Sequence, residues 1–430
     1  MGNRKKFKGT ALFQHEPMPA SIPPTVLLAA LLVASAGTAS AASEWERGFL
    51  LIGQVYPQDC PVPAWLDDEP SFRYVIIATD PTGMAFSGLT PELARKYVRL
   101  YFPRTKQELF ERYHFAVFPD ANIKPFTSTQ IEWMKEAFQE RGMSGFITLG
   151  GDLANYGRLY FYDWQSSVLH DVLPIRLTSE QDDGPGSFRI RILKDEPPVL
   201  SMFRSLGIED QSASGYAMPL PREAATVWAD AEPLSFGSPT PWLISWKPGP
   251  QGGTFWVTAD DLDHGWWWPF GLNPNPYAQD VFLNIVFYSF GRPLPEDIEI
   301  VHEVRTGFEV FRRNRLLILG TVELAETFGA NTYRVEEAMS VLNDLHERAR
   351  DEYSSGEYEG ALGSLDEAAS EAERILDLAF RLKDEAMFYA YVIQWLVTSG
   401  TLLLSGSILY SLMVRRRLYR DIESTRFGRS

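Results

Sequence analysis

Asp260, Asp261, Asp263 and His264 fall within five consecutive positions and run directly into Trp266, Trp267 and Trp268. Three carboxylates beside one imidazole can hold a divalent cation, or share a proton transfer as general acid and general base. Indoles next to polar groups can stack on a sugar ring, which offers an apolar face and a hydrogen-bonding rim. The same run also reads as solvated loop acids followed by rings that pack the fold. A hydrolase, metal-assisted or carbohydrate-directed, would be built on Asp260, Asp261, Asp263 and His264. The pattern assigns no metal ligand set and no cofactor is expected.

A second group of candidates follows apolar runs. Asp80, Asp120, Gly150, Gly151 and Asp152 each stand just beyond one. They would gather if those runs are parallel strands, because open α/β sheets bind ligands outside the carboxyl ends of their strands. Gly150 and Gly151 would then present backbone N–H groups to an anion or a carbonyl oxygen, or simply make a tight turn. His114 and His170 read as structural. Cys60 is the only cysteine, so no intramolecular disulfide can form. It reads as a small half-buried hydrophobe, with a link between two chains as the alternative.

The elements that must position these residues are legible as alternating patterns. Residues 72–78, 114–118 and 145–149 are apolar, β-rich runs that end in turn residues. Between them, 89–101 opens with Thr90-Pro91-Glu92, a cap followed by a first-turn proline and an early acid. Residues 127–140 present Ile131, Met134 and Phe138 on one helical face. This alternation predicts βαβ units and an α/β fold with a mostly parallel sheet covered on both faces. Further on, 187–193 alternates as a half-exposed strand. Residues 242–246 and 254–258 flank a Gly/Pro-rich turn as a hairpin, and 277–290 reads as a helix.

The stretch HFAVFPDANIKPFTSTQIEWMKEAFQERGMSGFITLGGDLANYG, then SSVLHDVLPIRL and later GGTFWVTADDLDHGWWWPF, resembles proteins of the class I glutamine amidotransferase-like fold, nearest the trehalose-utilisation type. The resemblance covers residues 48–292 and implies a doubly wound sheet with helices on both faces. Amidotransferases of this fold place a nucleophilic cysteine on the sharp turn after a strand, helped by a histidine and usually a glutamate. The matching turn here is Thr148-Leu149-Gly150-Gly151, without a cysteine. With no thiolate to attack an amide, glutaminase activity is not expected.

The formal charge of −16 is unevenly spread. Residues 1–43 carry a net +3 and 415–430 a net +4, so the body between them holds −23 to restore the total. So acidic a body repels nucleic acid and excludes it as a partner. Residues 25–36 are apolar, follow a basic leader and precede Ala39-Ser40-Ala41, the layout of a signal peptide over 1–41 or of an uncleaved anchor. Residues 390–414 contain no charge and exceed the about 20 residues that span a bilayer. Arg415, Arg416 and Arg417 follow at once and belong on the cytoplasmic side.

The expected organisation is an extracytoplasmic α/β domain over 44–295, a helical stalk over 296–388, the spanning helix and a basic cytoplasmic tail over 415–430. The stalk breaks at 328–331 and 354–356, and Leu362, Leu365, Ala369, Ala372 and Leu376 form its expected inner stripe. The expected partners are the bilayer, through 390–414, and a carbohydrate or a neighbouring envelope protein.

Overall fold

The computed structural model describes residues 47–56, 60–80, 89–150, 160–178, 184, 186–262, 265–268 and 275–426. The expected leader over 1–41 and the candidates Gly151, Asp152, Asp263 and His264 lie outside the described residues.

Eleven strands are described: β1 (Arg47–Gly53), β2 (Phe72–Ala78), β3 (Tyr113–Phe118), β4 (Ser144–Thr148), β5 (Ile175–Arg176), β6 (Ser187–Ile192), β7 (Ser212–Ser214), β8 (Leu220–Pro221), β9 (Thr226–Pro233), β10 (Thr240–Trp246) and β11 (Phe255–Thr258). Nine of them form one mixed sheet in the order β2-β1-β3-β4-β11-β10-β9-β6-β7. Strands β2, β1, β3, β4 and β11 run parallel. Strands β10, β9, β6 and β7 continue the sheet antiparallel. The expected hairpin is the pair β10–β11, with Leu243 opposite Thr258 and Trp246 opposite Phe255.

Alternate residues of β1 show why the parallel half is buried on both faces. Phe49 and Leu51 join one apolar core and Leu50 and Ile52 the other. The second core is covered by the helices Lys106–Arg112 (α3) and Ser128–Glu140 (α4), through Leu109, Ile131, Met134 and Phe138. Thr127 and Gln130 close a reciprocal capping box at the start of α4. The helix Pro91–Tyr101 (α2) starts on Thr90, whose hydroxyl accepts from the Leu93 N–H. The first core is covered by the helices Val62–Asp67 (α1) and Ala278–Ser289 (α6), while the helix Phe161–Ser166 (α5) closes the second.

Three long helices complete the chain: α7 (Ile298–Thr327), α8 (Tyr333–Ser355) and α9 (Tyr358–Arg426). The helix breaks fall where the sequence places them, and Gly356 ends α8 at a φ of 84°, a left-handed conformation that favours glycine. The boundary expected at 295/296 is not a break in packing. The chain from Arg47 onward is one compact unit, and Val301, Phe308 and Leu365 share a continuous core with Phe49 and Phe282. The buried stripe of α9 also differs from the expected one. It runs Ala361, Leu365, Ala368, Ala372, Ile375, Ala379 and Ala386, while Leu362, Ala369 and Leu376 are only half-buried. Steps of alternately four and three keep a 3.5-residue period, the seam of helices that coil gently about one another. A stripe drawn on a straight helix drifts off that seam.

Helix α9 spans 69 residues. It is long and apolar enough to cross a membrane, with an 18-residue window of mean hydropathy 1.5 that is wholly unburied. Trp395, Leu403 and Tyr410 stand fully open on it.

Candidate functional site

The carboxyl ends of the parallel strands form one edge, and the strand order reverses there between β1 and β3. In open α/β sheets that reversal makes a ligand crevice. Here backbone from the two sides of that reversal meets. The Gln54 N–H donates to the Pro119 carbonyl over 2.8 Å. A side chain on Gly53 would put its Cβ 1.9 Å from the same oxygen, and Gly53 has a φ of 136°. Only glycine fits both constraints. Next to it Asp120 is, among the described residues, the non-glycine one with positive φ, at 41°, and its N–H donates to Thr148 Oγ1 over 3.2 Å. Aspartate tolerates that region better than most side chains.

On this edge the candidates Asp80, Gly150, Asp260 and Asp261 are tied into the frame. Asp80 follows β2, is fully buried and accepts from the Tyr160 hydroxyl. Gly150 follows β4 and lies so close to Asp261 that an added Cβ would sit 2.5 Å from the Asp261 Cβ. Asp260 is fully buried after β11. It accepts from the Asp261 N–H over 2.8 Å and from the Trp266 N–H, while Asp261 accepts from the Leu262 N–H over 2.7 Å. Gly265 presses against the Asp260 carboxylate, where a Cβ would meet Oδ1 at 1.9 Å. These acids are therefore not solvated loop residues. Asp260 and Asp261 hold the N–H groups of Asp261, Leu262 and Trp266, which would otherwise be buried without partners.

The indole run faces inward. Trp266 and Trp267 are buried. Trp267 stacks on Trp242 with centroids 5.3 Å apart and planes at 14°, and Trp266 meets Trp242 edge-on at 4.9 Å. The Trp267 Nε1–H donates to Thr258 Oγ1 over 3.0 Å. Neither ring has a face free for a sugar, which corrects the stacking expectation for this pair. Trp268 is half-buried, and its N–H donates to the Gly265 carbonyl.

The edge is a row and not a knot. Strands lie about 4.8 Å apart, so Asp80 beyond β2 and Asp260 beyond β11 stand on the order of 19 Å from each other. Among the described residues, no three His, Cys, Asp or Glu side chains converge to hold a metal ion. His114 lies at the amino end of β3, the opposite edge, where Nδ1 accepts from the Gly48 N–H. Burial, and Arg47 after it, lower its pKa. His170 accepts from the Leu177 N–H over 3.1 Å, and burial, with Arg222, lowers it too. Cys60 is 1 % exposed in the core beside α1, and it follows β1 rather than β4.

The densest set of buried charge lies elsewhere, at the junction of the α/β domain with α7 and α8. Arg305 on α7 is 1 % exposed. Its Nη1 donates to Asp280 Oδ1 on α6 over 2.7 Å, and its Nε to the Tyr353 hydroxyl on α8 over 3.1 Å. The Tyr353 hydroxyl donates in turn to Glu69 Oε2 over 2.7 Å, and His302 Nδ1 meets Asp280 Oδ2 at 2.6 Å. Burial works against the charge on Arg305, but Tyr353, Asp280 and Glu69 outweigh it and hold its pKa above the usual value. Burial above all raises the Tyr353 phenol. Arg312 adds a two-pronged pair with Asp68, at 2.8 and 3.1 Å. Sequence reasoning missed this network because its members are up to 284 residues apart and each stands alone in its own segment.

Compared with known proteins, the chain matches no family model and no curated sequence.

Proposed function

We propose that the chain is a single-pass membrane protein whose α/β domain is a binding or scaffolding module held outside the membrane. Its frame is the doubly wound, glutamine amidotransferase-like one, without the catalytic thiol. The strand order β2-β1-β3-β4-β11 supports that frame, because it follows the flavodoxin-like order of doubly wound sheets. The observation that carries the loss of catalysis is the β4 turn. Thr148-Leu149-Gly150 carries no thiol, the Thr148 hydroxyl is buried and accepts from the Asp120 N–H, and the one thiol is buried beside α1. The edge acids add no free pair for acid–base work, since Asp260 and Asp261 hold backbone donors.

Residues 390–414 form the span, and Arg415, Arg416 and Arg417 mark the cytoplasmic side. The ligand class that suits an extracytoplasmic module is a carbohydrate or the outer part of a neighbouring envelope protein. The test uses the full chain purified in detergent, screened on a glycan array and against its own membranes, with glutamine hydrolysis assayed in parallel. Saturable capture without hydrolysis is the expected result. Hydrolysis that disappears in His264→Ala would overturn it in favour of an enzyme built on Asp260, Asp261, Asp263 and His264.

A further inference from the structure

Helices α7, α8 and α9 alternate in direction, which lets their levels be matched. Arg305 and Phe308 meet Tyr353, and Phe311 meets His346, so α7 and α8 run antiparallel. Glu352 meets Ser364 and Arg348 meets Glu367, so α8 and α9 do too. Helices α7 and α9 therefore rise side by side, and Gly307 fixes their register against Leu365, whose Cδ1 an added Cβ would meet at 2.9 Å. Counted up equally from that contact, Thr327 at the end of α7 is level with Glu385. Among the described side chains of α9 the last buried one is Ala386. At about 1.5 Å per residue, the bundle ends only about 6 Å before the apolar segment starts at Ala390.

That distance matches the headgroup layer, about 5–7 Å deep on each side of the hydrocarbon. The chain segment at this level is the α7–α8 turn, Phe328-Gly329-Ala330-Asn331-Thr332. It carries no charge, and Thr332 Oγ1 donates to Glu326 Oε1 over 2.7 Å. Phe328 is half-buried and Gly329 and Asn331 are exposed. Phe388 and Tyr389 stand open on α9 at the same height, as aromatic rings do at a membrane interface. We infer that this turn rests in the headgroup layer, so that three helices and not one stand on the bilayer. The inference rests on the reading of 390–414 as the span. Its occupant is the interface of the bilayer, by continuity with that helix.

The experiment places a nitroxide on single cysteines introduced into a Cys60→Ala chain by Ala330→Cys, Val341→Cys or Leu403→Cys. Collision with oxygen and with an aqueous nickel chelate is then measured in phosphatidylcholine proteoliposomes. Position 341 is the exposed reference, well above the membrane on α8, and 403 is the reference inside the span. The expected result is an oxygen-to-nickel ratio at 330 several-fold above that at 341 and below that at 403. Equal ratios at 330 and 341, with 403 in lipid, would overturn the inference and leave the span intact. An aqueous signal at 403 would overturn the spanning reading itself, and the inference with it.

Discussion

The strand-end edge and the helix junction use the same side chains to opposite purposes. On the edge, Asp260 and Asp261 bind N–H groups one to six residues away, and the result is a local turn. At the junction, Asp280, Glu69, Arg305 and Tyr353 join four segments far apart in the chain, and the result is a fixed angle between domain and bundle. A buried acid held by its own neighbours shapes a loop, whereas one held by a distant cation sets architecture.

The largest effect that would break this contrast is at Arg305. Arg305→Met leaves Asp280 and Glu69 buried without their cation and should cost about 3–5 kcal/mol in denaturant unfolding of the detergent-solubilised chain. Adding Asp280→Asn should recover part of that loss, and a single-variant cost below about 1 kcal/mol would remove the network from the account. On the edge, Asp260→Ala strands two buried N–H groups and should cost about 2–3 kcal/mol. Amide exchange should quicken at Asp261 and Trp266 while α7 to α9 stay protected; exchange that spreads into the helices would mean the two regions are not separate.

A pH series sharpens the junction side. His346 stacks on Phe311 at 4.3 Å, and burial lowers its pKa to about 4. Between pH 4 and 6.5 the folded chain thus holds fewer protons here than the unfolded one, so stability is complete above 6.5 and falls as the pH drops. The full contribution is about 3 kcal/mol. Asp68 acts in the opposite sense, because burial raises it to about 6 against the pull of Arg312. Between pH 3.8 and 6 its stabilisation falls as the pH rises. His346→Gln should therefore make the rise of stability with pH shallower across that window, with His114 and His170 still contributing to it, and an unchanged slope would exclude His346 as a source. The smallest effect is expected at the exposed pair Arg191–Asp230, 3.0 Å apart. Arg191→Ala should cost no more than about 1 kcal/mol in thermal unfolding.

Periodicity and turn chemistry made β2, β3, β4, the β10–β11 hairpin and helices α2, α4 and α6 legible, because each has a patterned run and a stop signal. Strand β1 was not read as a strand. Gly48-Phe49-Leu50-Leu51-Ile52 is apolar throughout, since its two faces meet two cores, and such a run has no alternation to detect. The edge acids were visible as residues, but the backbone partners of Asp260 and Asp261 were not, because nothing in the sequence shows which N–H groups a turn will bury. Arg305 gave no signal, because its helix looks like one side of an ordinary bundle until α6 and Glu69 are folded against it.

The Asp68–Arg312 contact also sets an altitude. By the α7–α9 register, Arg312 is level with residue 370, about 30 Å along the helix from Ala390. With the span seated as proposed, this point of attachment is held that far from the lipid, so a change in the length of α7 and α9 below it would raise or lower the α/β domain as a body.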